Sequence, residues 1–277
     1  MTTGALALLL AASAYAAPPS LSGAKRWACF YGAQLSSEAW HSLDLVIVDP
    51  DNYTGPLSSG PLRLAYVSAG EADERRLSWD RVAGKPYVIE PNPEWPSAHR
   101  VDLRDPAWRA EVGLAVSSAM AKGYDGVFLD TMDVAEYLES SAPARFIGSV
   151  DAAAGLLIEL RAKHPSALIL LNNGLALLEK GGGAIDGVMV EDLYTRCMPG
   201  TTPCGPSPKS ESRAKEERLL RFSKRTRKPV FVFLYSRLGE RSARWVRRAV
   251  ARGKKLGFFS YLSSPTLDRL GLVDPAR

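Results

Sequence analysis

A (β/α)8 TIM barrel, built as one α/β domain, is the fold that the sequence predicts, and three observations predict it. Eight short apolar runs recur along the chain, separated by connections of mostly helical pattern, which is the alternation of a barrel. The length of 277 residues suits a barrel of roughly 250, and no low-complexity linker divides the chain. Nearly every apolar run ends in a residue that can ionise or hydrogen-bond, and the C-terminal ends of barrel strands form the face where chemistry is placed.

Ahead of the barrel, a leucine and alanine run from Ala5 to Ala12 is followed by Ala14-Tyr15-Ala16-Ala17, a small-x-small cleavage pattern. The run is well short of the ~20 residues that cross a bilayer, so residues 1–17 read as a secretory signal peptide cleaved near Ala16 or Ala17. The expected mature domain, 18–277, is then secreted or periplasmic, monomeric and not inserted in a membrane.

Trp27 to Tyr31 is the first strand, and Leu35 to Leu43 a short helix capped by Ser36 or Ser37. Strand two, Leu45 to Val48, leads into Asp49, Asp51 and Tyr53. Gly55 to Pro61 is too short and too rich in Gly, Pro and Ser for a helix, so the connection to strand three, Leu62 to Val67, is shortened. Ser68 and Glu71 follow that strand. Pro86 to Glu90 has strand character but runs into Pro91-Asn92-Pro93-Glu94-Trp95-Pro96, which reads, with His99 to Leu103, as an irregular excursion over the barrel mouth. Asp105-Pro106 starts a helix whose apolar face is Trp108, Val112, Ala115, Val116 and Ala119, and Gly123 ends it.

Strand four, Gly126-Val127-Phe128-Leu129-Asp130, is apolar on both faces and carries Asp130 and Asp133 at its exit. Phe146, Ile147, Val150, Ala154, Leu157 and Leu160 mark a helix ending before Pro165. Ala167 to Leu171 is strand five, ending at Asn172. Leu175 to Lys180 is a short helix. Ile185 to Val190 is strand six, ending in Glu191-Asp192-Leu193-Tyr194. Val230 to Leu234 is strand seven, ending at Tyr235, and Gly257 to Leu262 is strand eight.

The composition excludes several classes of function. His41, His99 and His164 have no metal-ligand spacing and no Gly-rich phosphate loop occurs, so neither metal nor cofactor is expected. The net charge of +5 hides an asymmetry: residues 1–208 hold sixteen Lys and Arg against twenty-four Asp and Glu, and residues 209–255 hold seventeen against four. The basic excess falls on two helices, Glu211 to Arg227 and Glu240 to Arg252, and reads as solvated outer faces. No aromatic platform accompanies it, so nucleic acid is not an expected partner. Cys197 and Cys204 flank a loop that a disulfide could close in an oxidising compartment, while Cys29 sits in a strand as a free thiol.

What remains is the rim: Asp49, Asp51, Ser68, Glu71, Asp130, Asp133, Asn172, Glu191, Tyr194 and Tyr235. Asp130 alone could be a helix cap, but caps favour Ser, Thr, Asn and Asp, so Glu71 and Glu191 argue against capping as the general explanation. A rim this acidic suits a sugar ring, above all one carrying a positive charge, with Trp95, Tyr53 and Tyr194 as candidates to stack on sugar faces.

Three ordered motifs carry a resemblance: Tyr66-Val67-Ser68-Ala69-Gly70-Glu71-Ala72, Gly126 to Asp133, and Asp186-Gly187-Val188-Met189-Val190-Glu191-Asp192-Leu193-Tyr194. They resemble the endo-α-1,4-polygalactosaminidases of glycoside hydrolase family 114 and the related hydrolase domain of the Pel polysaccharide system, over about Trp27 to Ser263. The resemblance implies a barrel that cleaves galactosamine-containing polysaccharide such as galactosaminogalactan, with Asp130 and Glu191 as the catalytic pair. Hydrolysis would use Asp130 as nucleophile and Glu191 as general acid, with retention of configuration. The competing readings are a sugar-binding barrel without catalysis, against which the pair argues, and a barrel glycosidase for neutral polysaccharide, against which the density of acids argues.

Overall fold

The computed structural model describes residues 19–197, 204–237 and 243–273. The expected signal peptide, the interior of the Cys197 to Cys204 loop and the expected start of the last helix lie outside the described residues.

Eight parallel strands form the barrel wall: β1 (Trp27–Phe30), β2 (Leu45–Val48), β3 (Leu62–Ser68), β4 (Gly126–Asp130), β5 (Leu168–Asn172), β6 (Gly187–Val190), β7 (Val230–Tyr235) and β8 (Phe259–Ser263). They pair in sequence order, and a short strand, Leu272–Val273, adds antiparallel to β8 as the ninth member of the sheet. The seam between β8 and β1 is held by Trp27, whose Nε1 donates to Phe259 O at 3.2 Å and whose ring packs edge-on against Phe231 and Phe233. Parallel strands covered by helices are buried on both faces, which is why β2, β5 and β6 are continuous apolar runs without alternation. Each fully buried Leu, Ile or Val of this wall contributes roughly 1.5–3 kcal/mol.

Local chemistry sets the helix ends. Ser36 Oγ accepts from Ala39 N to cap Ser37–His41, and Asp105 Oδ1 accepts from Ala107 N to start Pro106–Ala121. On the latter helix the buried face is Trp108, Val112, Gly113, Val116 and Ala119, while Ala115 is exposed. The single helix expected from Phe146 is broken: Pro143–Phe146 is a separate turn, Gly148 takes φ +84°, and Ser149–Lys163 follows. Ile147 is left exposed at that break. A further helix, Val134–Ser141, has no counterpart in the sequence reading.

The largest departure lies after β3. The proline-punctuated stretch is a three-stranded antiparallel sheet, Glu71–Asp73, Trp95–Val101 and Val88–Asn92, with Trp95–Val101 in the centre. Pro91 and Pro93 are tolerated because Val88–Asn92 is an edge strand with register shifts and Pro93 lies in its turn.

Candidate active site

The three side chains at the centre of the mouth are delivered by one repeated backbone device. Asp130, Asn172 and Glu191 stand at the exits of β4, β5 and β6, and each is followed by a residue with positive φ: Thr131 (+62°), Asn173 (+51°) and Asp192 (+54°). A left-handed residue turns the chain sharply away, so the preceding side chain stays aimed over the barrel. For β-branched Thr131 this conformation is costly, of the order of 1–3 kcal/mol. It is held by Thr131 Oγ1, which donates to Asp130 O and accepts from Gly70 N at 2.8 Å. Gly70 has to be glycine, because a Cβ there would lie 1.9 Å from Thr131 O. That close approach brings Glu71 alongside Asp130.

Asn172 is almost wholly buried and uses both hydrogens of its amide on carboxylates. Nδ2 donates to Asp130 Oδ1 at 2.6 Å and to Glu191 Oε1 at 2.7 Å, so those two oxygens are no further apart than the sum of the two bonds. Asp130 Oδ1 also accepts from Thr131 N at 2.8 Å, and Glu191 Oε2 accepts from Tyr235 OH at 2.9 Å. Burial, then the charge of Asp130, pushes Glu191 up to about 8, against the hydrogen bonds from Asn172 and Tyr235 that favour its ionised form. Glu71 is buried, accepts from Asn92 Nδ2 at 2.7 Å, and is pushed up to about 7, first by burial. Asp133 keeps an exposed edge at the rim, and its carboxyl is raised, first by the protein crowded around its inner side and then by the charge of Asp130. Cys29 is a buried free thiol beneath these acids.

Other expected site residues are placed differently. Asp49 and Asp51 both face Arg76, whose Nη1 lies 2.5 Å from Asp49 Oδ1 and 3.4 Å from Asp51 Oδ2. Tyr53 follows β2, is partly buried, and stacks one face on Trp40 with ring centroids 6.0 Å apart, so it packs against the core as well as facing the mouth's edge. Tyr194 is buried outside the barrel beside Glu216, Arg252 and Gly253, because the turn at Asp192 carries the chain outward. Ser68 Oγ donates to Glu71 O and holds the loop. Trp95 stands 53% exposed at the hairpin tip, opposite Asn92, the residue that contacts Glu71. Cys197 and Cys204 are joined, closing the small hairpin Thr195–Arg196 with Gly205–Pro206, and Thr195 Oγ1 accepts from Tyr235 N at 2.7 Å.

Residues that the sequence reading did not single out complete the site. Tyr66 faces Asp130, packs edge-on against Tyr31 and lies under the Arg76 guanidinium at 4.9 Å. Its position on the inward side of β3, two residues before Ser68, was the available signal. Arg76, Asn92 and Lys215 come from connections, where no periodicity marks them.

Comparison with known proteins follows from this geometry. The model of glycoside hydrolase family GH114 matches residues 8–275. An uncharacterised protein of Deinococcus radiodurans is 26% identical over 93% of this chain and 86% of its own length. Among solved structures, the glycoside hydrolase domain of PelA from Pseudomonas aeruginosa superposes with a TM-score of 0.76 at 24% identity, covering 90% of this chain and 98% of that one. Ega3 of Aspergillus fumigatus, in a complex with galactosamine, superposes with a TM-score of 0.67 at 15% identity, covering 92% of this chain and 96% of that one. At these identities the two structures establish the likeness of fold.

Proposed function

The chain belongs to glycoside hydrolase family GH114, and on that premise we propose that it is an exported, endo-acting hydrolase of α-1,4-linked, galactosamine-rich polysaccharide that works with retention through Asp130 and Glu191. The observation that carries this reading is the Asn172 amide bridging the two carboxylates. The bridge keeps one oxygen of each acid closer than the roughly 6.5–9.5 Å that leaves room for an inverting water, which supports retention.

In the first step an Asp130 carboxylate oxygen bonds to the anomeric carbon while the bond to the glycosidic oxygen breaks, and Glu191 gives its proton to that oxygen. Glu191 suits this role because its raised pKa keeps it protonated at neutral pH. In the second step the Glu191 carboxylate takes a proton from water, the water oxygen bonds to the same carbon, and the Asp130 ester bond breaks. Two inversions give net retention. Asn172 and Tyr235 hold the acids in place through both steps.

The amino-sugar preference draws support from the galactosamine held by Ega3 and from Glu71 and Asp130, whose mutual repulsion a substrate ammonium would relieve. Export draws support from the apolar run before Ala14 and from the Cys197–Cys204 bond, since disulfides persist in oxidising compartments. Incubation of the mature protein with partly deacetylated galactosaminogalactan and with neutral glucans, read by mass spectrometry, tests the reading. Internal cleavage of the first alone is expected. Release of oligosaccharides from the neutral glucans alone would overturn it.

A further inference from the structure

The mouth is not uniformly acidic, and one cation is held at the main chain of the β6 exit, where Glu191 leaves the wall. Lys215 lies on the helix Lys209–Thr226, the connection between β6 and β7, and its Nζ donates to Glu191 O at 3.3 Å. Its side chain is half-buried. The same ammonium is close enough to Asp133, after β4, and to Asp192, after β6, to favour their ionised forms. It therefore sits on the rim between the strands that carry Asp130 and Glu191.

This placement is built. Ser207 Oγ donates to Asp192 O at 2.8 Å and Ser212 Oγ to Leu193 O at 2.6 Å, latching the start of the helix onto the exit of β6. The disulfide-closed hairpin immediately before Ser207 fixes the approach. Among the described residues, Arg76 pairs with Asp49 and Asp51, Arg100 with Glu90 and the face of Tyr137, and Arg196, which also lies near Asp192, pairs with Glu211. Lys215 spends one of its three N–H donors on a main-chain oxygen.

We propose that Lys215 is a specificity-determining residue, making the subsite that borders Glu191 accept an uncharged sugar, an N-acetylated amino sugar or a neutral hexose, while free amines are taken on the Glu71 side. The inference rests on the amino-sugar reading above. Two like charges at close range repel, and Lys215 also engages Asp133 and Asp192, acids that would otherwise attract a substrate ammonium at this position. Glu71, with Asn92 as its hydrogen-bond partner, keeps the opposite side attractive to a cation. The preferred polymer is accordingly one of mixed acetylation, cut beside an uncharged unit.

The test compares kcat/KM on fully deacetylated and on half-acetylated α-1,4-galactosamine oligomers. The ratio of the first to the second should rise about tenfold in Lys215→Gln and stay within about twofold of the parent in Lys215→Arg, which keeps the charge. Added salt should lower the Lys215→Gln ratio, because it screens the attraction of the uncovered carboxylates for the free amines, and should change the parent ratio less. A Lys215→Gln ratio within twofold of the parent, on a protein that cuts both oligomers, would overturn this inference and leave the proposed function standing. If the parent protein cut neither oligomer, both would fall.

Discussion

The exits of β2 and of β4 to β6 both present acids to the same mouth, yet the structure makes them chemically unlike. Asp49 and Asp51 share Arg76, so one of their two charges is offset within the protein, chiefly that of Asp49. Asp130 and Glu191 share Asn172, a neutral amide that holds two acids together without neutralising either. The backbone differs in the same sense. Thr131, Asn173 and Asp192 adopt positive φ after β4, β5 and β6, and no residue after Asp49 does so until Gly60. In the proposed reaction an acid at a strand end becomes reactive through its partner and its turn, not through its position alone.

The largest effect expected from this contrast is on turnover. Asp130→Asn and Glu191→Gln should each lower kcat by roughly 10³-fold with the fold unchanged, whereas Asp49→Asn should keep at least about a third of it. Reducing-end release alongside circular dichroism checks this. An Asp49→Asn protein as dead as Asp130→Asn would erase the distinction between the two sectors.

Next comes stability. Arg76→Ala strands Asp49 and Asp51 without a counter-charge and should cost about 2–3 kcal/mol in urea unfolding, less than a fully buried pair because the groups are partly solvated. Adding Asp49→Asn should return about half of that loss, whereas a double variant no more stable than Arg76→Ala would show that the pair is not the cause.

A smaller effect sharpens the β6 sector. Tyr235 OH donates to Glu191 and favours its ionised form, so Tyr235→Phe should raise the Glu191 pKa further. In the proposed reaction activity requires the Glu191 proton and is lost as pH rises through that pKa. The alkaline limb of kcat/KM, expected near 8 in the parent, should therefore move up by roughly 0.5–1 unit. Movement in the opposite direction would contradict Glu191 as the acid.

The smallest concerns Glu71, whose folded pKa of about 7 stands above its ordinary value of 4.5. Between those values the folded protein keeps a proton that the unfolded chain has lost, so stability falls as pH rises across this window. Glu71→Gln keeps an oxygen for Asn92 and carries no charge. Its Tm should match the parent at pH 4 and exceed it by about 2–4 °C at pH 8, with equal Tm at both pH values counting against a buried, raised Glu71.

The sequence by itself determined the eight-strand order, the short β2 to β3 connection and the positions of Asp130, Asn172, Glu191 and Tyr235 at strand exits. Buried parallel strands need unbroken apolar runs, and a run ends where the chain leaves the wall, so each exit is written into the composition. Only the tertiary structure decided that the proline-rich excursion is a three-stranded sheet bringing Asn92 to Glu71. It also decided that Tyr194 is packed away, that Tyr53 stacks on Trp40, that one cation, Arg76, is shared by Asp49 and Asp51, and that Lys215 reaches the Glu191 carbonyl. Those outcomes depend on pairings between residues far apart in the chain, 25 positions between Arg76 and Asp51 and 24 between Lys215 and Glu191. Local periodicity records which face a residue occupies, but a partner reached through a loop leaves no periodic trace, so charge and exposure at the rim are settled only when the barrel brings its exits together.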